Sequence, residues 1–280
     1  MAFSEATGIS HDITTDAGFR AWAQQVHDAL SAVGMVQTSD TGQINLTTVT
    51  TPGTNNTTAG YEIWRFNDSE QATDPIFFKV EYGRGGGASF HRIIVTPGRG
   101  SNGSGTITTA ASARTLTQGV TPGATGRTTV SFYEGALFLF TAGAPASGTL
   151  GYWFLIERLR DETGALVSGQ CAVATHSGLG SLFSAGAWNN SPTVYALGAS
   201  VAASGKIWIG TLRFADLVVA PLRAVCFAPS GVIGGDDTGD LTFNGVSITY
   251  KRLNVTQTCQ LPFTWAGSGT AHNVLIQNET

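Results

Sequence analysis

The sequence predicts a mainly β protein, with one or more antiparallel β-sandwich domains following a single N-terminal amphipathic α-helix. Three observations carry that expectation. Beyond residue 34, apolar and polar residues alternate with period two in one short run after another. Glycine contributes 36 of the 280 residues and punctuates those runs with turn signals. One stretch near the N-terminus keeps the period of a helix instead.

That stretch places Phe19, Trp22, Val26, Leu30 and Val33 at spacings of three and four, on one face. Thr15 or Asp16 can cap its start, and Gly34 stands where a left-handed C-cap would end it. Arg20, Gln24, Gln25 and Asp28 belong to the opposite, polar face. The five apolar residues are the candidate interface residues, docking on the chain's own β-domain or on a neighbouring subunit.

Strands follow in order. Tyr61, Ile63 and Arg65 alternate with Glu62, Trp64 and Phe66, and Asn67-Asp68 begins a turn. Ile76, Phe78, Val80 and Tyr82 alternate with Phe77, Lys79 and Glu81, making an antiparallel neighbour. Further strands are expected at Phe90 to Thr96, Thr106 to Ala110, Thr128 to Tyr133, Ala136 to Thr141, Tyr152 to Arg160 and Ala165 to Val173. Glu134-Gly135 is a tight hairpin signal, and Asp161 to Gly164 is a second turn. The last strands are expected at Lys206 to Phe214, Arg223 to Phe227, Leu241 to Tyr250 and Asn273 to Gln277. The small-residue segment Thr141 to Gly148 is the internal boundary candidate. It divides the chain into an N-terminal arm and helix (1–43), a β-domain (44–145), and a second β-domain or continuation of the same sandwich (146–280).

Composition narrows the function classes. Charged residues make up only 12%, about half the usual share, while hydrophobic residues at 42% are near the globular norm. So few charges leave little to oppose sticking, which suggests that partner subunits cover part of the surface. With a net charge of −4 and no basic run, direct nucleic-acid binding is not expected. No charged region followed by an apolar stretch follows Met1, so a secretory signal is not expected. The longest apolar runs, such as Ala136 to Phe140, are too short to cross a bilayer as a helix. Cys171, Cys226 and Cys259 are widely separated and odd in number, so buried thiols without disulfides are expected.

Motifs with chemical potential each have a plainer reading. Gly98 to Gly103 fits the dinucleotide fingerprint in letters, but Ser104 to Thr109 is not a helix start, so a flexible surface loop is expected. Gly83 to Gly87 lacks the lysine and hydroxyl of a phosphate-binding loop and reads as mobile. Asp236, Asp237 and Asp240 gather in a glycine-rich turn and are the candidate metal ligands. EF-hand spacing and the closing glutamate are missing, so a solvated turn is the expectation and no metal or cofactor is assigned. His11, His27, His91, His176 and His272 show no pair at ligand spacing. Cys171 and His176 sit five apart on a strand and would face opposite ways. Trp64, Trp153, Trp188, Trp208 and Trp265 could form a sugar-stacking platform, but core or interface anchors are the simpler assignment. No catalytic residue is singled out, and the chain is read as a non-enzyme.

Three stretches carry a resemblance. They are Gly18-Phe19-Arg20-Ala21-Trp22 with the helix to Gly34, Thr58 to Gly87 with its core Gly60 to Asp68, and Tyr152-Trp153-Phe154-Leu155-Ile156-Glu157-Arg158. Over roughly residues 16–175 the chain resembles virion structural proteins of tailed double-stranded DNA bacteriophages. The resemblance implies a particle component of the tail, neck or baseplate, assembled in the bacterial host cytoplasm. Its expected partners are other copies of itself, in trimer or hexamer multiples, and other virion proteins. The rival readings are a receptor- or carbohydrate-binding appendage and a head decoration protein.

Overall fold

In the computed structural model the described residues are 2–111, 113–133, 135–143, 152–160 and 165–176, together with seven later strands. Side chains are described to residue 143, then for 152–158, 165–166 and 171. The architecture is mainly β, with antiparallel sheets and, among the described residues, a single helix.

The first sheet has the order β1-β9-β10-β11-β12-β13, and the second β2-β3-β4-β5-β8. In the first, the strands are β1 (Ala2–Ser10), β9 (Thr125–Tyr133), β10 (Ala136–Gly143), β11 (Tyr152–Arg160), β12 (Leu166–His176) and β13 (Ser184–Ala187). In the second they are β2 (Val36–Gln37), β3 (Thr57–Arg65), β4 (Phe77–Arg84), β5 (Phe90–Gly98) and β8 (Arg114–Gly119). A two-stranded ribbon joins β6 (Gly100–Ser101) to β7 (Ile107–Thr108). The third sheet runs β14-β15-β16-β19-β18-β17, built from β14 (Thr193–Val201), β15 (Gly205–Arg213), β16 (Val219–Pro229), β17 (Thr238–Phe243), β18 (Val246–Thr258) and β19 (Ala271–Gln277).

The predicted β3–β4 pair forms with Trp64 opposite Phe78, and β9 pairs with β10 from Tyr133↔Ala136 onward. Several strands were not read from the sequence, among them β1, which has mixed burial, and the short β8. The expected strand from Thr106 to Ala110 shrinks to Ile107–Thr108. β10 and β11 pair directly from Ala136↔Glu157 to Thr141↔Tyr152, so the first sheet runs across the 145/146 boundary. β1 is a full member of that sheet, so residues 1–43 are not a separate arm. The two glycine loops are also more ordered than expected. Gly83 lies within β4, and Gly98 ends β5 just before the ribbon.

Helix α1 (Asp16–Ala32) forms where the spacing places it. The Thr15 hydroxyl accepts from the Gly18 amide at 3.1 Å, which satisfies one of the otherwise unbonded first-turn donors. At the other end Gly34 adopts φ +86°, a backbone that side chains rarely tolerate. Its amide donates to Ser31 and that of Met35 to Leu30, which together form a Schellman cap.

Phe19, Trp22, Val26, Leu30 and Val33 are all at most 2% exposed and belong to the chain's own core. The helix therefore docks on its own sheets and offers none of these five as surface to a neighbour. Its buried stripe is wide because both sheets contribute to the core around it. Gln25, expected on the polar face, is buried with the rest.

The same core takes Trp64, Phe66, Phe78, Val80, Tyr82, Ile93 and Val95 from the second sheet and Val130, Leu137, Leu139, Phe154 and Ile156 from the first. Phe66 meets Phe132, and Phe78 meets Phe154, at ring separations of 4.9 and 6.4 Å. This is a sandwich packing of two sheets. The first sheet's other face is apolar as well. Phe138, Phe140, Trp153 and Leu155 are fully buried there, and β16 of the third sheet lies beside β10 and β11. Every residue of β10 is buried, as expected for a strand in a middle layer.

Candidate functional site

A cleft of about 1090 Å³ opens where the β3–β4 loop faces the segment after β2 and the β6–β7 ribbon. Gln37, Asp40, Arg65, Asp68, Gln71, Arg99 and Ser101 line it, with Phe77 as its aromatic side chain.

The far wall, residues 66–76, has no regular ladder of its own, and Arg158 of β11 supplies its anchor. Arg158 is fully buried, lies over the Phe66 ring, and donates to the Asp74 carbonyl at 3.0 Å and to Gln71 Oε1 at 3.2 Å. It pairs with Asp68, and Glu70 stands 3.8 Å away. Arg99 pairs with the buried Asp74. The near wall is tied through Asp40, whose carboxylate accepts from Thr38 at 2.6 Å, from the Gly105 amide at 3.1 Å and from Ser101. Burial pulls the Asp40 carboxyl upward, but these hydrogen bonds outweigh it and hold the group below its ordinary value. These charged groups of the cleft already join one piece of chain to another. The cleft can take a polar ligand by hydrogen bonds.

Two polar clusters lie deeper, one on each half of the helix. In the first, Glu62 of β3 is 1% exposed and accepts from Tyr82 at 2.6 Å, from Trp64 Nε1 at 3.3 Å and from Gln37 at 3.3 Å. His27 of α1 completes the set at 2.6 Å. The hydrogen bond to Glu62 raises the His27 pKa, burial opposes it, and the Glu62 charge adds to the rise. Tyr82 is pushed up by burial and then by the Glu62 charge, so it stays a protonated donor. A histidine–carboxylate pair is common in catalysis; of the remaining donors to this one, Tyr82 and Trp64 are buried in the core and Gln37 lines the cleft.

In the second cluster, His11 Nε2 lies 2.6 Å from Gln25 Oε1, which also accepts from Thr128 at 2.7 Å. His91 Nε2 lies 2.5 Å from the His11 carbonyl, and its ring stacks on Trp22 at 4.3 Å. The fold brings these two histidines together from 80 positions apart, which no spacing rule could reveal.

The other sequence candidates divide in two. Trp64 and Trp153 are core residues, so the stacking platform is not built from them. Trp188 and Trp265 lie outside the described residues, and Trp208 is described by its backbone alone. Asp236, Asp237 and Cys259 also lie outside, while Asp240 and Cys226 are described only as backbone of β17 and β16. Among the described residues no group of three potential ligands gathers. Cys171 is a buried thiol, pushed up by burial and then by the Asp74 charge, the opposite of activation. No helix among the described residues is long and apolar enough to cross a membrane.

No family model, no curated protein and no solved structure matches the chain.

Proposed function

We propose that the chain is a non-enzymatic structural component of a tailed phage particle, assembling with copies of itself and with other tail, neck or baseplate proteins. The observation that carries the reading is the use made of the polar groups. Glu62, Arg158, Asp40 and the His11 cluster each join two or more separate elements, which is the work of a scaffold. The low charge, 12%, supports the same reading, because a particle subunit spends its working life covered. The three stretches behind the resemblance also belong together, since Phe19 and Trp22, Trp64 and Phe66, and Phe154 and Ile156 share one core.

The contacts that build the particle need a different source from the helix. Among the described residues Ile9 is the exposed large hydrophobic. Assembly through this part therefore uses polar surface or open strand edges, such as those of β1 and β8. Light scattering on the purified chain tests the proposal. A closed oligomer in threefold or sixfold multiples is expected, and a monomer at every concentration, absent from any virion, would contradict it. The cleft favours a second reading, a receptor- or carbohydrate-binding appendage. Glycan binding abolished by Arg65→Ala or Gln37→Ala would support that reading.

A further inference from the structure

His11 follows β1 and sits where β1, α1 and both sheets meet. Its protonation state can be read from its partners. Gln25 Nε2 donates to the Ala6 carbonyl at 3.3 Å, which turns Gln25 Oε1 toward His11 and Thr128. An amide oxygen only accepts, so the neutral His11 ring carries its hydrogen on Nε2. His91 Nε2 faces a backbone carbonyl and must carry its hydrogen there too. Both rings therefore turn a bare Nδ1 into the core, and both Nδ1 atoms are buried without a partner. At His11 the space is closed by Gly126, where a Cβ would fall 2.1 Å from Nδ1. A proton added at either ring would create an N–H with no acceptor. Two such protons would set two cations on rings 5.2 Å apart.

We propose that His11 and His91 form an acid-sensitive latch, whose protonation releases β1 from β9 and loosens α1 from the sheets. The surroundings offer little compensation for the charge. The helix presents Trp22 and Gln25, and β9 presents Thr128 and Gly126. Arg84 and Gln118 stand opposite His91 on β4 and β8. Asp12 is the nearby carboxylate, already bonded to Thr14 and to the Gly123 amide at 2.9 Å. β1 is the element that can leave, because it is an edge strand paired on one side with β9.

Burial lowers His11 to about 4, and burial together with the His11 charge holds His91 well below its ordinary value. A released histidine titrates near 6.5, so the released form gains protons first and the latch weakens as pH falls from about 6.5 toward about 4. At pH 5, His11 alone would favour release by roughly thirtyfold over its value at pH 7.5.

Hydrogen exchange with mass spectrometry at pH 7.5 and 5.0, corrected for intrinsic rates, tests this on the full chain. Protection of Ala2–Ser10 should fall at least tenfold at the lower pH while the β3–β4 hairpin keeps its own. His91→Phe keeps a ring against Trp22 but cannot be protonated, so its pH step should shrink. Should that variant fail to fold, histidine ring nitrogen shifts of the wild type decide. Both rings should stay neutral with hydrogen on Nε2 at pH 6, and charge only as β1 loses protection. Equal β1 protection at both pH values, or rings that titrate near 6.5 with β1 still in place, would overturn the latch.

Discussion

Helix α1 is held through two histidine sites that resolve burial in opposite ways. Around Trp22 and Gln25, His11 and His91 find an amide and a carbonyl, and they remain neutral. Five residues further along the helix from Trp22, His27 finds the buried carboxylate of Glu62, and its charged form is favoured. Depth and partner differ together at the two sites. His27 is only half-buried, with its side chain 25% exposed, and the hydrogen bond to the Glu62 carboxylate outweighs the burial that remains.

The two sites meet at an apolar centre, and substitution there should cost the most. Trp22→Ala removes the ring that His91 stacks on and that meets Phe19 and Tyr82 edge-on. It should cost about 3–5 kcal/mol in urea unfolding, the range for a large buried aromatic. A loss under about 1 kcal/mol would mean the helix is not seated in this core.

The two sites contribute to stability with opposite signs as pH changes. His11 is depressed in the fold, so its contribution is complete above 6.5 and lost as pH falls toward about 4, by roughly 3 kcal/mol at most. His27 is raised, so its contribution is complete below 6.5 and lost as pH rises through its folded value. Denaturant midpoints across pH 4 to 9 should therefore form a dome. His27→Gln should remove the fall on the alkaline side, and a curve still falling there in that variant would refute the assignment.

The smallest effects lie at the edges of these sites. Thr128→Val removes one donor to Gln25 and should cost about 1 kcal/mol, seen as a modest fall in Tm. Arg20, placed by the sequence on the polar face, donates to the Val49 carbonyl at 2.9 Å. Arg20→Ala should cost about 0.5–1 kcal/mol, mostly by freeing the segment that follows Gln43.

What was legible in the sequence was periodicity. Helix α1 and its caps, the β3–β4 pair and the β9–β10 hairpin all follow from spacings within about twenty residues. The layering was not legible, because it depends on which strand faces meet. The apolar runs of β10 and β11 carried no sign of which neighbour would cover them. In the structure those residues are buried within the chain, on both faces of a middle sheet. Glu62 carried a signal that could have been used: it shares strand parity with Trp64 and Phe66, so it had to point inward with them. His11 and His91 carried none, since only the closed fold joins residues so far apart.

The scaffold reading holds that these buried polar groups exist to join elements, and Glu62 offers the most direct test. A group kept for chemistry or ligand binding is commonly retained at some expense of stability, so replacing it leaves the fold as stable or more so. A group that serves as a joint destabilises when removed. Glu62→Gln keeps the shape but turns an amide N–H toward donors that need an acceptor, and it strips His27 of its counter-charge. Equilibrium urea unfolding at pH 6 should show a loss of about 2–4 kcal/mol. A Glu62→Gln protein as stable as the wild type, or more stable, would contradict the account and mark the His27–Glu62 pair as a functional site.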